Sequence, residues 1–101
     1  MELQGKKVLV FGSGKSGIGA SDLLAKVGAS PIIYDGNAEI DKEAVVHKTD
    51  GTYPVEVYAG ELPKEVQESL DLVVLSPGVP TDLPIVKNFY EQGLPVWGEV
   101  E

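Results

Sequence analysis

The spacing of apolar positions changes along the chain, and the changes mark out alternating strands and helices. Lys7–Phe11 is a short apolar run that ends at Gly12. Its length and β-branched content suit a strand buried on both faces. From Lys15 to Val27 the spacing becomes helical: Ile18, Leu23, Leu24 and Val27 recur, with Ala20 and Ala25 between them. Gly28 stops that helix. Ser30–Tyr34 reads as a second strand, with Pro31 tolerated at its start, and Asp35-Gly36-Asn37 turns the chain. The middle is less regular. A helix is expected over Ile40–Lys48, a loop over Asp50–Pro54, a strand over Val55–Tyr58, and a short helix over Pro63–Leu70 that begins on proline.

The pattern then sharpens. Leu72–Leu75 is a buried strand, and Ser76-Pro77-Gly78-Val79-Pro80 is a stiff loop. Thr81 or Asp82 caps a helix that runs to Gln92, with Ile85, Val86 and Phe89 on one face. Gly93 ends it, and Leu94–Trp97 is a last short strand. Strands alternating with helices predict an α/β fold: a Rossmann-like, three-layer, doubly wound parallel sheet of about five strands. All 101 residues are expected to form one domain.

Composition narrows the function classes. Hydrophobic residues make up 43% of the chain, enough for a core, so global disorder is excluded. With no cysteine, disulfide scaffolds, thiolate metal sites and thiol nucleophiles are excluded as well. No apolar run approaches the ~20 residues a bilayer span needs, and the apolar stretch behind Lys6 and Lys7 breaks at Gly12, too early for a signal peptide. The net charge of −8 argues against nucleic acid as a partner. That charge is uneven. Residues 1–30 hold Lys6, Lys7, Lys15 and Lys26 against Glu2 and Asp22, and this opening third is the only region with a basic balance. A small anion finds its favourable surroundings there.

The sharpest motif lies in that same third. Gly12-Ser13-Gly14-Lys15-Ser16-Gly17 is a G-x-G-x-x-G between a strand and a helix. The first glycine permits a tight turn, the second lets backbone approach a phosphate, and the third lets helix and strand pack closely. The helix N-terminus adds free amides and partial positive charge, Ser16 a hydroxyl, and Lys15 a full charge. A triphosphate-binding loop is excluded, because the glycine it requires falls at Leu9, inside the strand. Asp35 ends the second strand eighteen positions after Gly17, where dinucleotide folds place an acid against a ribose hydroxyl, though a turn aspartate beside Gly36 reads equally well. The loop at Ser76–Pro80 follows a strand near the switch point and is a second candidate wall. His47 has no partner at suggestive spacing and reads as a solvated helix residue. Glu56, Glu61, Glu65, Glu68 and Asp71 read as surface, Asp41 and Glu43 as helix-dipole partners, and Trp97 as edge packing. No catalytic pair and no metal-ligand cluster stands out. The glycine motif and Asp35 alone suit an NAD-binding domain of an oxidoreductase, or a stand-alone nucleotide-binding module.

Three segments in order, Gly5–Gly17, Leu75–Pro80 and Gly93–Glu101, resemble the N-terminal domain of the MurD-type Mur ligases. The resemblance covers the whole chain, although 38–70 contributes little. It implies a Rossmann-like domain that holds the UDP of UDP-N-acetylmuramoyl-L-alanine rather than NAD. Gly14, Lys15, Ser16 and Gly17 are expected at the diphosphate. Asp35, Gly36 and Asn37 are expected at the uracil end, through backbone where side chains are small. Ser76, Pro77 and Gly78 are expected on the uridine's other side. The resemblance also implies a longer cytoplasmic enzyme of peptidoglycan precursor synthesis. Its further domains would bind ATP, Mg2+ and D-glutamate and form the new amide through an acyl phosphate. On that reading this stretch alone is inactive, has no cofactor of its own, and binds its ligand weakly.

Overall fold

Three consecutive residues of the first apolar run, Val8, Leu9 and Val10, are 0% exposed, so both faces of that strand are covered. The computed structural model describes residues 3–51, 53–76, 79 and 82–98. The chain runs β1 (Lys7–Phe11), α1 (Lys15–Lys26), β2 (Ser30–Asp35), α2 (Lys42–Lys48), β3 (Glu56–Ala59), α3 (Lys64–Ser69), β4 (Leu72–Leu75), α4 (Pro84–Glu91) and β5 (Val96–Gly98). The strands form one parallel sheet in the order β3-β2-β1-β4-β5. The expected α/β doubly wound fold with five strands is present.

Side-chain alternation divides the core in two. Val8, Val10, Ile33 and Leu72 point to the layer containing Ile18 and Leu24 of α1 and Val45 of α2. Leu9, Phe11, Ile32, Tyr34, Val73 and Leu75 point the other way, onto Val86 and Phe89 of α4 and the ends of α3. The chain steps outward from β1 to β3, then crosses back to β4, and the covering helices change face at that reversal. The C-terminal ends of β1 and β4 therefore diverge into a crevice, the usual ligand position in such sheets.

Boundaries shift for identifiable reasons. α2 begins at Lys42 rather than Ile40, because Asp41 caps it, accepting from the amides of Glu43 (3.1 Å) and Ala44 (3.2 Å). Asp82 does not cap α4. Leu83 holds that position without a side-chain bond, and Pro84 opens the helix with no amide to satisfy; Thr81 lies outside the described residues. β5 starts at Val96 because the Leu94 amide closes α4 on Phe89 O at 3.1 Å, and pairing begins with Val73 N on Pro95 O at 3.0 Å. β3 pairs from Glu56, one residue later than expected.

The buried stripe of α1 also differs from expectation. It consists of Gly17, Ile18, Ser21 and Leu24, whereas Leu23 (64%) and Val27 (48%) are exposed. α1 packs on β1 and β2, which leaves the Leu23 side over β4, where Ala20 and Leu23 line a shallow groove with Val74. Ser21 is tolerated in the core because its hydroxyl meets Tyr53 Oη at 2.7 Å. The same phenol donates to Asp22 Oδ1 at 2.6 Å and ties Tyr53 to α1. Burial and the Asp22 bond push the Tyr53 pKa up to about 12. Among the described residues no helix is long and apolar enough to cross a membrane.

Candidate functional site

The glycine turn is shaped by close packing at its first and third glycines and left open at its second. Gly12 has φ +128°, in the left-handed region that side chains disfavour, and a Cβ there would stand 2.6 Å from Ser76 Oγ. A Cβ on Gly17 would fall on the carbonyl oxygen of Gly12, inside any allowed contact, with Ser76 Oγ at 3.3 Å. Gly14, by contrast, has nothing within 4 Å of a Cβ position. It is the N-cap of α1, no side chain caps the helix, and the first helical bond is Ile18 N to Gly14 O at 2.9 Å. The amides of the first turn are thus uncommitted within the helix and face an unobstructed approach. Lys15 and Ser16 are exposed on the same turn but take opposite flanks. Lys15 borders a groove of about 510 Å³ shared with Lys48. Ser16 and Ser76 border one of about 290 Å³ against β4.

Ser76 is held on the loop after β4 by its own amide, which donates to Phe11 O at 3.1 Å. Its hydroxyl packs against the glycine turn, so it joins the two loops across the β1/β4 crevice. Pro77 and Gly78, expected beside it, lie outside the described residues.

Asp35 ends β2 beside the same turn, and its carboxylate is engaged by the chain itself. Oδ2 accepts from Ser13 Oγ at 2.6 Å and Ser13 N at 3.3 Å, and Oδ1 accepts from Asn37 N at 2.9 Å. Burial works against ionisation, but the bonds from the Ser13 hydroxyl and the Asn37 and Ser13 amides outweigh it and hold the pKa below the usual carboxylate value. A carboxyl lowered in this way stabilises the fold above the unfolded chain's pKa, and that contribution disappears as pH falls through the folded value. Asp35→Asn should therefore melt below the unaltered chain at neutral pH, with the gap closing as pH drops below about 4. Thermal melts across that range check this; a gap that stays constant in acid would contradict it.

Gly36 is exposed, with open space around a Cβ position, and Asn37 accepts from Glu39 N at 2.9 Å in a local turn. Three residues outside the expected set also build the site. Ser13 is a variable position of the glycine motif, so no pattern singles it out. Gly60, at φ +79°, donates from its amide to Asp35 O at 2.8 Å, and a Cβ there would stand 2.7 Å from Ala38 Cβ. Tyr34 Oη donates to Gly60 O at 2.7 Å. Both tie the end of β3 to the end of β2, and Gly60 lies in the middle segment, where periodicity was weakest. His47 is exposed on α2, as are the acids at 56, 61, 65, 68 and 71. One of these, Asp71, also accepts from Lys7 N at 2.9 Å and fastens the starts of β4 and β1 together.

Residues 6–98 match the family described as Mur ligase MurD-like, N-terminal domain. The chain is 50% identical over 101 residues to the UDP-N-acetylmuramoylalanine–D-glutamate ligase of Lachnospira eligens, covering 100% of this chain and 22% of that protein. The same-named protein of Lachnoclostridium phytofermentans is also 50% identical with the same coverage, and that of Myxococcus xanthus is 43% identical. The chain thus spans about a fifth of the length of these curated relatives. Among solved structures, shikimate dehydrogenase from Aquifex aeolicus superposes with a TM-score of 0.63 at 18% identity, over 98% of this chain and 44% of that one. SirC, a precorrin-2 dehydrogenase, does so at 0.58 and 18%, over 95% and 45%. These two likenesses show the fold alone.

Proposed function

The chain belongs to the MurD-like N-terminal-domain family of the Mur ligases, and from that premise we propose that it binds the UDP end of UDP-N-acetylmuramoyl-L-alanine. The carrying observation is the open first turn of α1 at the β1/β4 crevice, where Gly14 leaves room for a diphosphate against uncommitted amides. Lys15 and Ser16 add charge and a hydroxyl on the same turn. Asp35, Gly36 and Asn37 lie at the neighbouring strand end for the uracil, and Ser76 stands on the opposite side, across the glycine turn.

The relatives' names are those of ligases and do not favour the oxidoreductase alternative.

On this reading the chain is the substrate-binding part of a longer cytoplasmic enzyme of peptidoglycan synthesis. That enzyme joins D-glutamate to the L-alanyl carboxylate through an acyl phosphate, with ATP and Mg2+ held outside residues 1–101. The residues here do not suit ATP, since Leu9 stands where a triphosphate loop needs glycine. By itself the chain is a binding module without catalysis.

NMR titration of the 101-residue chain with UDP, UDP-N-acetylmuramoyl-L-alanine and NAD tests the proposal. Saturable shifts at Gly14–Gly17 and Asp35–Asn37 with the two uridine ligands are expected, and none with NAD. Binding of NAD without binding of the uridine ligands would overturn it.

A further inference from the structure

We propose that Ser13 is a positioning residue that sets the spacing between the two halves of the nucleotide site, the first-turn amides of α1 and the nucleoside-facing Asp35. This rests on the uridine-diphosphate reading above and adds to it a residue that reading does not use. Ser13 sits between Gly12 and Gly14, the two most conformationally free positions of the turn. Gly14 touches nothing through a Cβ position, and no side chain caps the helix behind it. Gly12 is held only through backbone, its amide donating to Tyr34 O at 2.7 Å, and through the Ser76 side chain packed against it.

Ser13 supplies the turn's side-chain link to β2, beside the backbone bond from Gly12. Its hydroxyl (2.6 Å) and amide (3.3 Å) converge on one oxygen of Asp35, while Asn37 N holds the other at 2.9 Å. The clamp fixes the carboxylate's rotation and the turn's position at once. Charge-assisted bonds of this length are the stronger kind. A carboxylate has about four acceptor directions, so lone pairs stay free for a ligand N–H or hydroxyl while the clamp persists. A ligand that spans both halves benefits because their spacing is set before it arrives. A ligand that touches only the amides gains nothing from the spacing.

The expected result separates these two kinds of ligand. NMR titrations of the unaltered chain, Ser13→Ala and Ser13→Thr with UDP and with inorganic diphosphate carry the test. Ser13→Ala should weaken UDP about tenfold, the loss of roughly one hydrogen-bonded constraint. Diphosphate binding should change by less than about twofold, because a ligand at the amides alone does not use the spacing. Ser13→Thr keeps the hydroxyl and should recover UDP binding. Equal UDP affinity in Ser13→Ala overturns the proposal. So does a parallel loss of both ligands, a failure of threonine to rescue, or a collapse of the fold in the alanine variant, since each makes Ser13 irrelevant or merely structural. If the unaltered chain itself shows no saturable UDP binding, the uridine reading fails, and the positioning role with it.

Discussion

Gly17→Ala is expected to destabilise the fold by about 2–3 kcal/mol and to abolish the proposed nucleotide binding. Alanine in a helix interior is ordinarily an improvement on glycine, by about 1 kcal/mol. Here the added methyl falls on the Gly12 carbonyl oxygen, which is backbone in a tight turn and cannot rotate away. The steric term therefore exceeds the propensity gain and reverses the sign. Relief requires α1 to lift from β1, which also carries the first-turn amides out of place. For a domain of this size the melting temperature should fall by roughly 10–20 °C. Gly19→Ala is the internal control. Gly19 is in the same helix, is exposed, and has nothing within 4 Å of a Cβ position. That change should raise stability by about 0.5–1 kcal/mol, because only the propensity term acts. Circular-dichroism melts of the two variants decide the matter. A Gly17→Ala protein that melts with or above the unaltered chain would show that the turn tolerates displacement.

Phe89→Ala should cost still more, about 3–5 kcal/mol, a large part of the ~5–15 kcal/mol that holds a small domain together. Phe89 is 0% exposed and, with Val86, makes up the buried face of α4, an eight-residue helix too short to persist without tertiary packing. The ring packs in the layer formed by Leu9, Phe11, Val73 and Leu75. Its loss leaves a cavity under the helix that connects β4 to β5. Tyr90, next in sequence and 54% exposed, should lose at most about 0.5 kcal/mol on truncation to alanine. Urea unfolding of the pair measures the contrast. The Phe89 variant should unfold at a much lower midpoint, and similar midpoints for both would disprove the assignment of α4's anchor.

Much of the fold was legible because its physical cause is local. A run of β-branched residues is best hidden in a strand covered on both faces, and Val8–Phe11 behaves so, as does Leu72–Leu75 apart from half-buried Val74. Sterics require glycine at Gly12 and Gly17, Gly14 stands in open space, and the sequence pattern marked all three. The acids of the surface likewise depend on nearest neighbours, whereas the cap of α4 falls on Leu83 and not on Asp82. Legibility declined over 38–70, where short elements are stabilised by distant partners: Tyr53 by Ser21 and Asp22, Gly60 by Tyr34 and Ala38.

What the sequence determined by itself was the order and type of the elements, the basic opening third and the glycine turn, because periodicity, charge and backbone sterics act over a few residues. What only the tertiary structure decided was which apolar residues of α1 are buried. The helix lies over β1 and β2 and leaves Leu23 and Val27 outside, a matter of packing direction that spacing along one helix does not contain. The tertiary structure also decided the state of Asp35. Its position at the end of β2 was readable, but its carboxylate is taken by Ser13, a residue twenty-two positions away. Sheet pairing of β1 with β2 brings them together, and no local rule places a serine hydroxyl on that oxygen.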